Sequence, residues 1–229
     1  MHRFMTFLLL IVASFSATSQ TSPSSEELSA AIKKADIESV RTLLKGGAPV
    51  KTTDRSGFMP LVSAAIVAGR QPQALEIIDL LLAAGADIEQ EGPTDITPLY
   101  AAVTNGPPAV VTHLLDKGAN VNAQVGDGRT ALYQSVRRGT VRAAEVLIQR
   151  GANVNDKTAE GWVPLHLAAI NGLDSTVELL LANGASVNAR DGEGKTPLAW
   201  AKGNGPKHIG GSRAKPTLIE ILVKSGAIE

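Results

Sequence analysis

A Gly-Ala pair that keeps returning constrains this chain more than any other feature. It occurs at Gly47-Ala48, Gly85-Ala86, Gly118-Ala119, Gly151-Ala152, Gly184-Ala185 and Gly226-Ala227, with spacings of 38, 33, 33, 33 and 42 residues. A leucine keeps the same frame: Leu61, Leu99, Leu132, Leu165 and Leu198 each lie 14 residues after the preceding glycine. Counting back 19 residues from Gly47 reaches Leu28, so a degenerate first unit precedes the others. A unit this short cannot bury an apolar face alone, and its stability must come from stacking on neighbours. The period predicts six units, at about 26–54, 55–91, 92–124, 125–157, 158–190 and 191–229.

Each recurring residue type has a physical reason. Thr97, Thr130 and Thr196 can cap helix N-termini with their hydroxyls, and Pro98 and Pro197 stand where proline is tolerated, at the first helical position. Alanine pairs let neighbouring helices approach closely. Leucine pairs such as Leu114-Leu115 and Leu179-Leu180 fill the interior, which suits a chain with only 3% aromatics. The glycine of each Gly-Ala pair ends a second helix, where a left-handed residue is needed. Val121, Val154 and Val187 then lead into a turn toward the next unit. Met59 and Val163 replace the capping threonine. Unit two carries 5 extra residues between Ala68 and Ala74, and unit six carries 9 extra within 203–216. Both insertions fall between the two helices of a unit, and the sixth unit is expected to close the array.

The 33-residue period, with Thr97-Pro98-Leu99-Tyr100-Ala101-Ala102, Val163-Pro164-Leu165-His166-Leu167-Ala168-Ala169 and Gly151-Ala152-Asn153-Val154-Asn155, resembles the ankyrin-repeat family over residues 26–229. The resemblance implies an all-α solenoid of helix-turn-helix units joined by β-turns or hairpins. It also implies a non-catalytic protein-interaction module (an adaptor, inhibitor or scaffold) that uses its concave side, built from hairpin tips and first helices.

The N-terminus reads differently. Arg3 precedes an apolar run from Phe4 to Phe15, the length of a signal-peptide core and too short to span a bilayer. Small residues follow, and cleavage after Ser16 or after Ser19 fits them. The expected layout is a cleavable signal peptide over 1–19, a polar linker over 20–25 and the repeats over 26–229. A retained anchor or buried N-terminal helix is the alternative. Export to the periplasm or the extracellular space is expected, with no stable membrane span after cleavage. The chain has no cysteine, so the fold uses no disulfide.

Charge excludes a general polyanion binder. The 22 basic and 22 acidic residues cancel, and losing Arg3 leaves a net charge of −1, so no nucleic-acid partner is expected. The histidines His2, His113, His166 and His208 show no metal-ligand spacing. No phosphate-binding loop or nucleophile motif stands out. No metal, cofactor or catalytic residue is expected, and a monomer is. The 203–216 insertion gathers Lys207, His208, Arg213 and Lys215 beside Lys202 without an acid. It reads either as a basic loop that grips an anionic surface or as a solvated insertion of little entropic cost. An enzyme or ligand-binding protein using that loop is one alternative function, and a secreted effector acting on a host or competitor protein is another.

The resemblance places the partner-facing positions one by one. The residue after the turn glycine, or its equivalent, is Phe58, Ile96, Arg129, Trp162 or Lys195. The two positions after the alanine pair are Ile66-Val67, Thr104-Asn105, Arg137-Arg138, Ile170-Asn171 and Gly203-Asn204. Unit four thus offers arginine at all three positions, flanked by apolar residues. Trp and Arg are enriched at interface hot spots, and arginine pairs bidentately with carboxylates. An acidic protein partner is the expectation. The alternative is that Asp127 and Glu160 neutralise the arginines and Trp162 packs on the next hairpin.

Overall fold

The computed structural model describes residues 23–93, 95–203 and 215–228. Its helices come in pairs, one pair per unit. The first helices are Ser25–Lys33 (α1), Pro60–Ala68 (α3), Pro98–Asn105 (α5), Ala131–Arg138 (α7), Pro164–Asn171 (α9) and Pro197–Ala201 (α11). The second helices are Ile37–Lys45 (α2), Leu75–Ala83 (α4), Pro108–Asp116 (α6), Val141–Gln149 (α8), Asp174–Ala182 (α10) and Pro216–Lys224 (α12). Among the described residues the strands are limited to one antiparallel hairpin, Gln124–Val125 (β1) with Arg129–Thr130 (β2). The fold is an all-α solenoid. The insertion in unit two forms a 3₁₀ turn, Pro72–Ala74, that runs directly into α4. The 203–216 insertion joins α11 to α12, and its residues 204–214, with Lys207, His208 and Arg213, lie outside the described residues. So do residues 1–22, which include the expected signal peptide.

Stacking is continuous along the first helices: α1 packs on α3, α3 on α5, α5 on α7, α7 on α9 and α9 on α11. The landmark leucine is the pin of this stack. Leu28, Leu61, Leu99, Leu132, Leu165 and Leu198 are all 0–2% exposed. Each such burial contributes roughly 2 kcal/mol, and it depends on the first helix of an adjoining unit. Ala64, Ala65, Ala102, Ala168 and Ala169 are buried between the helices, as their small size allows.

The caps follow the sequence reading. The hydroxyls of Thr97, Thr130 and Thr196 accept from the backbone N–H of Tyr100, Tyr133 and Ala199 at 3.2, 3.2 and 3.3 Å. Met59 and Val163 make no such bond. At Val163 the His166 N–H, which a threonine would cap, donates to the Val163 carbonyl at 3.0 Å, while the buried His166 ring satisfies a different donor: its Nδ1 accepts from the Val163 N–H at 3.2 Å, and its Nε2 lies 3.1 Å from the carbonyls of Ala189 and Lys195. One neutral tautomer satisfies all three contacts, with Nε2 protonated, and burial holds the ring below the usual histidine range. The second helices end as expected. Gly151, for example, has φ +88°, and nothing lies within 4 Å of where its Cβ would stand, so conformation alone demands glycine there.

Side chains also clamp unit to unit. Asn122, Asn155 and Asn188 recur every 33 residues. The Asn155 amide donates to the Gly184 carbonyl at 3.0 Å while its oxygen accepts from the Ser186 N–H at 2.8 Å. Asn122 does the same to Gly151 and Asn153, and Asn188 to Gly226 and Ile228. Glu89 holds this position in unit two and, having no proton to donate, only accepts, from the Asn120 N–H at 2.7 Å. Units one and two are tied differently. Asp54, buried in the turn before α3, accepts from Ser29 at 2.6 Å, from Lys33 at 2.7 Å and from the backbone N–H groups of Ser56 and Phe58. Burial would raise its pKa, but these donors outweigh it and hold the carboxyl at about 2.

Two stability predictions result. Val163→Thr supplies the hydroxyl used at the equivalent position of three other units. It is expected to raise the unfolding midpoint by roughly 1–4 °C in calorimetry at pH 7. An unchanged or lower midpoint would mean that the Val163 carbonyl already satisfies the His166 N–H. Asp54 has a folded pKa below its unfolded value, so its stabilisation is complete above the unfolded value, 3.8, and is lost as pH falls toward about 2. Asp54→Asn is expected to cost about 2 kcal/mol in urea unfolding at pH 6 and clearly less at pH 3. A cost independent of pH would refute the ionic role.

Candidate functional site

The tips of the turns before α7, α9 and α11 stack on one another. The Ala159 N–H donates to the Asp127 carbonyl at 2.7 Å, and the Gly192 N–H to the Glu160 carbonyl at 2.8 Å. A Cβ at Gly192 would meet that carbonyl at 2.8 Å, so only glycine permits this approach. Buried side chains shape each turn from within. Thr158 accepts from the Trp162 N–H at 3.2 Å. Asp191 accepts from the Glu193 and Lys195 N–H groups at 2.9 Å each, and from the Trp200 indole N–H at 2.8 Å.

One position in these tips is acidic three times over. Asp127, Glu160 and Glu193 are 33 residues apart. Two residues later stand Arg129, Trp162 and Lys195. In the outer two tips the acid and the cation neutralise each other: Arg129 pairs with Asp127 at 2.5 Å and Lys195 with Glu193 at 2.6 Å. In the middle tip a tryptophan takes the cation's place. Among the described residues, no side chain or amide bonds the Glu160 carboxylate.

Trp162 leans on the next unit instead. Its ring lies 4.7 Å from that of Trp200, tilted by 46°, and 5.8 Å from His166. The Lys195 ammonium sits 4.8 Å from the centre of the Trp200 ring. Trp200 is 2% exposed and fixed by its bond to Asp191. Beside these rings opens a cleft of about 490 Å³, walled by Tyr133, Trp162, Leu167 and Trp200, with Glu160, Gly192 and Glu193 at the tips. Burial, and then the charges of Glu160 and Asp127, raise the Tyr133 pKa, while Arg137 and Arg129 oppose them more weakly.

The expected partner-facing residues divide into several groups. Arg129, Trp162 and Lys195 border or adjoin the cleft, and Arg137 is exposed at the end of α7 on the Tyr133 side. Arg138 is also exposed, but it donates to the Thr104 carbonyl at 3.3 Å and so bonds the C-terminal end of α5. Thr104 is occupied within the fold. Its hydroxyl donates to the Tyr100 carbonyl at 3.0 Å and accepts from Gln134 at 2.8 Å, and Gln134 in turn accepts from the Tyr100 hydroxyl at 3.0 Å. Ile170 corrects the sequence reading: it is 2% exposed, because α9 turns it into the packing against its neighbours, and it cannot touch a partner. Phe58, Ile66, Val67 and Ile96 are half-buried against the core, which leaves each only one open side. Asn171 is exposed. Asn105 closes α5, and its side chain lies outside the described residues.

The sequence reading missed Tyr133, Trp200 and Glu193 as cleft residues. The signal for the acid was present, since Glu193 repeats Glu160 and Asp127 at the 33-residue period. Tyr133 likewise repeats Tyr100 at that period, whereas Trp200 stands where the preceding unit has Leu167 and carried no such signal.

Among the described residues no group of three or more His, Asp or Glu side chains is placed to hold a metal ion, and no helix is long and apolar enough to cross a membrane. The family model described as ankyrin repeats (3 copies) matches residues 28–125, 67–158, 99–191 and 153–227, which together run from 28 to 227. No curated protein matches the chain.

Proposed function

Because the chain belongs to the ankyrin-repeat family, whose repeats support a protein–protein interaction module, we propose that it is a non-catalytic adaptor, inhibitor or scaffold that binds its partner along the concave side. The observation that carries this reading is the surface of units four to six. There Arg137 is exposed, Trp162 is half-buried and Lys195 keeps a partly open side chain. A rigid ring beside an open guanidinium has the composition of an interface hot spot. Arg129 and Arg138 have partners within the fold. Arg137 is therefore the arginine of this unit that faces a partner carboxylate.

The test is a comparative capture from the host's own extract. Arg137→Glu is expected to weaken retention of the wild-type partner at least tenfold. Its stability should change by no more than about 1 kcal/mol, the scale of a charge reversal in the last turn of a helix. Equal retention by both proteins would place the interface elsewhere.

We also propose that the chain is exported. The apolar run from Phe4 to Phe15 supports this, and so does the start of the helical array. Ser24 caps α1 by accepting from the Glu27 N–H at 3.2 Å, while Glu27 reaches back to the Ser24 N–H at 2.8 Å. Cleavage after Ser16 or Ser19 leaves that cap whole. Residues 1–25 fused to alkaline phosphatase are expected to give active enzyme outside the cytoplasm, with the processed chain beginning at Ala17 or Gln20. An inactive, unprocessed fusion would overturn export.

A further inference from the structure

The cleft on units four to six has a charge pattern that the fold itself leaves incomplete. Each of three stacked tips presents an acid at the same repeat position, and two of the three tips supply their own cation two residues later. The middle tip supplies Trp162 instead. Its acid, Glu160, stands at the mouth of a cleft whose walls are the rings of Tyr133, Trp162 and Trp200. An aromatic face attracts a cation electrostatically, and a carboxylate at its edge adds a charge-assisted hydrogen bond. The structure already contains an internal example a few ångströms away: the Lys195 ammonium lies 4.8 Å over the Trp200 ring while bonding Glu193 at 2.6 Å.

We propose that this cleft receives a cationic side chain, an arginine or lysine projected by the protein partner, which completes the middle tip as Arg129 and Lys195 complete the tips on either side. The proposal rests on the partner-binding reading above and names the chemistry of one contact within it. The guanidinium or ammonium would lie between the Glu160 carboxylate and the open side of the half-buried Trp162 ring, which Trp200 backs from beneath. Hydrogen bonds within the fold already hold the parts of the site in place. Asp191 fixes Trp200 through its indole N–H, and the Gly192 N–H bond to the Glu160 carbonyl sets the tip spacing. Little ordering cost is then left for binding. A partner that meets this surface is therefore of mixed charge, with a cation for Glu160 and an acid for Arg137.

The two tryptophans of the chain, Trp162 and Trp200, both line the cleft and report on it. The experiment titrates the folded protein with the tripeptide acetyl-Ser-Arg-Ser-amide and follows tryptophan emission. The acidic counterpart acetyl-Ser-Glu-Ser-amide and tetramethylammonium chloride serve as competing probes at matched ionic strength. The arginine peptide is expected to change the emission saturably in the millimolar range, and the glutamate peptide is not. Glu160→Gln is expected to weaken the arginine response about five-fold or more. Arg137→Glu, which adds negative charge near Tyr133, is expected to strengthen it, although the same change should weaken partner capture. The opposite signs separate the two readings. Lost capture with an unchanged peptide response to Glu160→Gln would overturn the cleft alone. An intact, strengthened peptide response with undiminished capture would overturn the interface reading alone. An equal response to the arginine and glutamate peptides, or tighter binding of tetramethylammonium than of the arginine peptide, would also overturn the proposal.

Discussion

Everything in this molecule depends on the contact between one unit and the next. No unit has a core of its own. The landmark leucine of each first helix is buried only because another first helix lies beside it. The same stacking brings tip onto tip, so that the backbone of one turn donates to the carbonyl of the turn before. The cleft is a product of this geometry. Its walls come from three successive first helices and its edge from two successive tips, and no single unit holds more than a fragment of it.

Repetition makes departures informative. Where the period supplies an acid and a cation together, they neutralise each other and the tip is closed. Where the cation becomes a tryptophan, the acid is left facing outward and the ring packs on the following unit. A local change of one residue type thus converts a self-satisfied tip into an open one. The change at Val163 works in the opposite sense. The hydroxyl is missing, but the Val163 carbonyl accepts from the His166 N–H and the His166 ring accepts from the Val163 N–H, so the helix start remains satisfied.

The sequence made most of the fold legible. The period located each helix pair, the Thr-Pro steps located the helix starts, and the Gly-Ala pairs located the left-handed ends. Those features are local and repeat in register. The surface was less legible, for a physical reason. Position in a motif says which side of the helix a residue occupies, but not whether a neighbour covers it. Ile170 and Thr104 were placed on the right helices, yet packing hides the first and a hydrogen-bond network engages the second. Arg138 was visible as a charge, whereas its reach to the carbonyl of the preceding unit was not. Trp200 became part of the site only through a bond to Asp191, nine residues away in sequence and in a different turn of the chain.

The clamps between units are not all of one chemical kind, and this gives the array a grain. The joint between units one and two relies on the Asp54 carboxylate, and that between units two and three on Glu89. The three joints that follow rely on the neutral amides of Asn122, Asn155 and Asn188. Carboxylates gain protons in acid and amides do not. Asp54 gains its proton only as pH falls from its unfolded value of 3.8 toward about 2, so strong acid takes the carboxylate clamp from the joint of units one and two while the asparagine clamps keep their hydrogen bonds. Acid therefore acts on the stack unevenly, and the Asp54 joint lies at the end of the array away from the cleft.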